Sequence, residues 1–76
     1  MSRKLYKTAN GLWIEDGEMC YWNSGDKWEY GIFSVEYRYG ELYEIQLGYT
    51  RGGYSTRYGE SDIARDVYKN KPKEDI

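Results

Sequence analysis

The chain has 76 residues, a net charge of −2 from 11 Lys and Arg against 13 Asp and Glu, and 14 aromatic residues, 10 of them Tyr. That length holds one domain and excludes a multidomain architecture. With one Cys (Cys20) and no His, an intramolecular disulfide, the usual zinc ligand sets and the Ser–His and Cys–His nucleophile pairs are all excluded, so no metal, no cofactor and no enzyme activity is expected.

Aliphatic residues are scarce, and such a composition points to disorder unless aromatic rings supply the missing apolar surface. Each ring buries about 150–250 Å², so the expectation is a folded domain whose core is built largely from tyrosine. A chain this short has little apolar area to bury, and marginal stability, or help from a partner or from a second copy in a homo-oligomer, is expected. No run of 18 apolar residues occurs, and the charged start Met1–Lys7 has no apolar stretch behind it. Neither a membrane span nor a signal peptide is expected, and the expected compartment is the cytoplasm.

In chain order, Arg3, Lys4 and Lys7 form a basic block that Glu15, Asp16 and Glu18 then cancel. Gly11–Ile14 and Glu18–Asn23 flank Glu15-Asp16-Gly17, and Asp-Gly is a favourable turn dipeptide, so an extra N-terminal hairpin over 11–23 is predicted. Asn23-Ser24-Gly25-Asp26 is the next turn. Trp28–Tyr39 is rich in aromatic and β-branched residues, with Gly31, Phe33, Val35 and Tyr37 on one face and Trp28, Tyr30 and Ile32 on the other. After a turn at Tyr39-Gly40-Glu41, the apolar alternation Tyr43, Ile45, Leu47, Tyr49 specifies a half-buried strand that pairs with the preceding one. Phe33, Val35, Ile45 and Leu47 are the predicted core. Arg51-Gly52-Gly53 turns the chain, and Tyr54, Thr56 and Tyr58 alternate again. Ser61-Asp62 caps a helical turn carrying Ile63, Ala64, Val67 and Tyr68, and 61–68 reads either as a short helix or as a turn feeding a last strand. Residues 1–68 form the domain, and 69–76, with the lone Pro72, read as a polar tail. The predicted fold is all-β, a small antiparallel barrel-like domain of five to six strands with a short helical turn near the C-terminus.

The order Gly17–Gly25, then the Trp-containing Lys27–Val35, then Leu42–Leu47, then the acid-Ser-Asp-Ile turn Glu60-Ser61-Asp62-Ile63 resembles the small Tudor-like barrels, a Src-homology-type architecture. The resemblance covers residues 18–66, and its motifs speak to fold more than to function. In that family an aromatic cage holds a methylated cation by cation–π attraction, and the matching positions are Tyr21 or Trp22, Trp28, Tyr49 and Tyr54. Arg51 stands where such a cage offers an acid, which argues against a methylated ligand. The Src-homology peptide site fails because no proline precedes Pro72. Plasmid-borne small-barrel reductases are similar in size and architecture, yet of their Val-Gln-Ile-Tyr strand only Tyr58 is matched, so an oligomeric-barrel enzyme is not expected.

Tyr, Trp and Arg dominate interface centres, where Lys and Glu are rare. The segment Tyr49–Tyr58 has that composition, so Tyr49, Arg51, Tyr54, Arg57 and Tyr58 are the candidate face for a protein partner, with Trp28, Tyr30 and Ile32 as a second candidate face. Single-stranded nucleic acid stacked on tyrosines is the alternative, disfavoured by the net negative charge.

Overall fold

The computed structural model describes residues 4–70. Its elements run β1 (Leu5–Lys7), β2 (Trp13–Glu15), β3 (Met19–Ser24), β4 (Lys27–Arg38), β5 (Glu41–Gly48), β6 (Ser55–Arg57), α1 (Glu60–Asp66) and β7 (Val67–Tyr68). The fold is all-β with one short helix near the C-terminus, as the alternation predicts. Among the described residues seven strands form where five or six are expected.

The β4–β5 hairpin organises the molecule. Arg38 pairs with Glu41 around a two-residue turn in which Tyr39 (φ 56°) and Gly40 (φ 78°) both take left-handed backbone, the geometry that matches the twist of the strands. Phe33 faces Leu47 and Val35 faces Ile45, all four buried as predicted. Between Glu36 and Tyr37 the register slips, so Tyr37 faces Leu42 and Tyr43 is left over as a bulge. The bulge breaks the alternation, and Tyr43 lies exposed.

Strand order in the main sheet is β6-β5-β4-β3-β7, every neighbour antiparallel. Its edges β6 and β7 are linked by α1 and not by a ladder, so the barrel is not closed. The segment 61–68 resolves into both alternatives: α1 ends at Asp66, and Val67 turns extended (φ −101°, ψ 133°) to pair with Trp22. Gly59 caps the helix, and no side chain bonds its first turn from that position. Asp62 instead reaches back, its Oδ2 accepting from the Tyr58 amide at 3.1 Å.

The predicted hairpin over 11–23 does not form. Its turn exists, with Gly17 at φ 96° and the Glu18 amide donating to Glu15 O at 3.1 Å, but it carries the chain from one sheet to the other. β2 pairs with β1 (Tyr6 opposite Ile14), while β3 pairs with β4 (Cys20 opposite Gly31). The turn residues also bond β4. Gly17 N donates to Phe33 O at 2.7 Å, Phe33 N to Glu18 O at 2.8 Å, and Val35 N to Asp16 Oδ1 at 2.9 Å. The β1–β2 hairpin is closed by Thr8, whose amide and Oγ1 both donate to Leu12 O, with Gly11 at φ 81°.

This hairpin sets Tyr6 and Ile14 into the core. The Tyr6 ring lies 5.8 Å from Phe33, its hydroxyl bonds that of Tyr37, and Ala9 N donates to Val67 O at 2.7 Å. The core is Tyr6, Ile14, Cys20, Trp22, Phe33, Val35, Ile45, Leu47, Ile63 and Val67. The expectation of a tyrosine core is therefore wrong: of the ten tyrosines only Tyr6 is buried, and seven are exposed. A buried phenol needs a partner for its hydroxyl, and the thin space between sheet, hairpin and helix is filled by aliphatic residues, Trp22 and Phe33. Of the expected polar tail, 71–76 lie outside the described residues. Lys69 is held, its Nζ donating to Trp13 O at 2.7 Å and lying 2.8 Å from Glu18 Oε2.

Candidate binding surfaces

The loop after β5 folds back tightly because glycines meet there. A Cβ at Gly53 would overlap the Gly48 backbone, and one at Gly31 would overlap the Gly48 carbonyl. This approach places Tyr49 and Tyr54 over the inner face of β4, where the Glu29 side chain is only 7% exposed. Glu29 Oε2 accepts from the hydroxyls of Tyr49 and of Tyr54, the latter at 2.7 Å, and Oε1 lies 3.4 Å from Lys27 Nζ. The tyrosine hydrogen bonds, Tyr49's first, hold the Glu29 carboxyl below its ordinary range against the opposing effect of burial. Reciprocally, the bond to Glu29 and then burial push the Tyr54 hydroxyl far above a normal phenol. Trp22, cross-strand partner of Glu29, meets the Tyr54 ring edge-on at 6.2 Å, and Tyr49 lies 5.8 Å from Tyr54.

The predicted face is thus only partly assembled. Tyr49 and Tyr54 come together, but Arg51 turns away to Asp16 Oδ2 at 2.6 Å. Arg57, 21% exposed, is drawn towards α1, donating to Asp66 Oδ2 at 2.7 Å, to Ser55 Oγ at 3.0 Å and to Thr56 O at 2.9 Å. Tyr58 is exposed at the entrance to α1. Sequence spacing could not show this, because the acids that hold the arginines come from distant or helical segments. The rings matching a cage do not enclose a common space either. Trp22 and Tyr54 lie on the inner side of the sheet, Tyr21 and Trp28 alternate to the outer side, and Trp22 is 1% exposed.

The second candidate face is continuous. On the outer side of the main sheet Tyr30, Tyr21 and Tyr68 stand opposite one another across β4, β3 and β7. The Tyr21 and Tyr30 rings are 4.5 Å apart, Trp28 meets Tyr68 edge-on at 5.1 Å, and Ile32 faces Met19. Further along the same side the surface becomes polar, Gln46 donating to Glu36 Oε1 at 3.1 Å and Glu44 Oε1 at 2.6 Å. Met19 and Tyr21 belong to the apolar patch by the period-two pattern of β3. Tyr68 joins it through a pairing that local sequence does not reveal.

Every Lys and Arg among the described residues except Lys7 lies within ion-pair distance of a carboxylate. Cys20 is buried, and burial pushes its thiol up to about 12. No group of three or more carboxylate or thiol residues is placed to hold a metal ion among the described residues, and no helix there is long and apolar enough to cross a membrane. Compared with protein-family models, curated proteins and solved structures, the chain matches none.

Proposed function

We propose that the chain is a non-catalytic binding module that presents the outer aromatic face of β3, β4 and β7 to a protein partner. The observation that carries this reading is the row Tyr30–Tyr21–Tyr68 with Trp28, Ile32 and Met19, apolar side chains that lie together on one side of the sheet, Tyr30 and Met19 exposed and the rest half-buried. A sheet with one face solvated ordinarily alternates to polar residues there, and aromatic residues are the side chains that anchor protein interfaces. The paired state of the cations disfavours a polyanion, because counterion release draws on free Lys and Arg. The proposed architecture is Tudor-like. Its support is a four-strand meander, β3 to β6, followed by a helical turn and a last strand returning to pair with the first.

The test is affinity capture from the native cells, identification of the partner, and titration with a Trp28→Ala, Tyr30→Ala chain. Binding should weaken by about 2 kcal/mol or more, with the melting temperature confirming that the variant remains folded. Fluorescent oligothymidylate serves as the competing probe. Tight binding of that probe, falling steeply with salt, would replace this reading by a nucleic-acid one.

A further inference from the structure

Independently of that face, we infer that the tip of the β4–β5 hairpin is a second docking element, which inserts Tyr39 into a cleft of a protein partner whose rim is basic. Beyond Val35 and Ile45 the two strands pair only with each other. β6 covers β5 at residues 45–47, and β3 with the Asp16–Glu18 turn covers β4 no further than Val35. The Tyr37 hydroxyl bonds that of Tyr6 and Leu42 packs against the core, so the tip beyond these contacts is Arg38–Glu41.

At its apex Tyr39 is 102% exposed and sits at φ 56°. Left-handed backbone at this turn position suits Asn, Asp or Gly, and a tyrosine there raises the local backbone energy. Its ring is fully in solvent, so no packing within the described residues offsets that cost. A strained residue whose side chain contributes nothing to the core points outward, to something it meets. Tyr43 flanks it, exposed, and Tyr37, partly exposed with its hydroxyl held by Tyr6, stands at the base of the tip.

Charge selects the kind of cleft. Arg38 is used internally, its Nε 3.0 Å from Glu36 Oε2 and its guanidinium 3.7 Å above the Tyr43 ring. Among the described residues Glu41 and Glu44 have no cation within ion-pair distance, residues 36–44 carry a net −2, and the complementary surface is cationic.

The experiment places a photoreactive benzophenone side chain at position 39 of the full chain in its native cells. Irradiation should yield an adduct with one protein, joined within a peptide containing Lys or Arg. Purified competitor chains then decide the contact. Wild type should suppress the adduct, while Tyr39→Asn should need at least about tenfold more chain, although its melting temperature stays equal or rises because Asn accepts left-handed backbone. A Lys7→Ala chain, altered at an exposed residue of β1, keeps the tip and should compete like wild type. The inference is overturned by a fall in melting temperature for Tyr39→Asn, by equal competition from it, by an equal loss of competition from Lys7→Ala, by an adduct to nucleic acid or to a second copy, or by no adduct.

Discussion

The Tyr54 hydroxyl donates to Glu29 Oε2 at 2.7 Å, tying a loop to a strand 25 residues away. A carboxylate removed from water must find donors in the protein, and Glu29 finds them in Tyr54, Tyr49 and Lys27. The bond therefore explains two features together: a glutamate on the apolar side of β4, and two tyrosines whose rings lie half in solvent while their hydroxyls point inward. Phenylalanine at either position would keep the ring and lose the reason for the loop to close.

Acid should loosen this closure. The folded-state pKa of Glu29 lies below its unfolded value, so its contribution is complete above the unfolded pKa and disappears as pH falls through the folded one. Glu18, held down by the Lys69 ammonium, and Asp66, held down by Arg65 and then Arg57, act with the same sign. The melting temperature is expected to fall as pH drops from neutral to below the ordinary carboxylate range. Glu29→Gln should melt lower than wild type at neutral pH, with the gap narrowing in acid. Thermal melts followed by near-ultraviolet circular dichroism give the comparison, and parallel curves at every pH would show that Glu29 ionisation does not hold the loop.

What was legible in the sequence was what depends on neighbours a few residues apart. Phe33, Val35, Ile45 and Leu47 announce their burial by period two, and Tyr39-Gly40 its turn by the glycine. Pairings across longer separations were not legible. The Asp16-Gly17 turn reads as a hairpin because its dipeptide is right, and only the β4 amide and carbonyl groups it meets in space make it a crossing between sheets. Arg51 and Arg57 read as free hot-spot residues because Asp16 and Asp66 are not their sequence neighbours in any local pattern. Tyrosines read as core because composition counts rings without knowing where their hydroxyls go.

Truncation of the core on both layers tests whether the β1–β2 hairpin belongs to the cooperative unit. Ile45, in the main sheet, and Ile14, in the hairpin, are both fully buried in one cluster. Each Ile→Ala change is expected to cost about 2–5 kcal/mol from lost transfer energy and the cavity left behind. Urea denaturation measures both. A near-neutral Ile14→Ala beside a costly Ile45→Ala would mean that the hairpin unfolds separately.

Cys20 should be inert in the folded chain. The nucleophile is the thiolate, and a buried thiol pushed up to about 12 supplies almost none near neutrality. An aromatic disulfide reagent is expected to label Cys20 fully in denaturant and negligibly in buffer. Rapid native labelling would show that β3 opens from the core.

Gly31 tests the closest approach in the fold. It sits opposite Cys20 on β3, and a methyl group there would overlap the carbonyl of Gly48 and press on the Trp22 ring. Backbone has little room to yield, so Gly31→Ala is expected to cost about 1–3 kcal/mol or more through overpacking. Gly25→Ala separates this effect from simple loss of glycine. At Gly25 the space for a methyl group is open, and only the left-handed backbone (φ 75°) opposes it, at about 1–2 kcal/mol. The two variants should also differ in kind. Pushing β5 away at Gly48 moves the loop that Gly53 packs against it, and with it Tyr54 from Trp22 and Glu29. Gly31→Ala is therefore expected to change tryptophan emission and the near-ultraviolet spectrum of the folded state, whereas Gly25→Ala lowers the urea midpoint and leaves both spectra as they are. Identical native spectra for wild type and Gly31→Ala would mean that the strand crossing at Gly48 does not control the tyrosine loop.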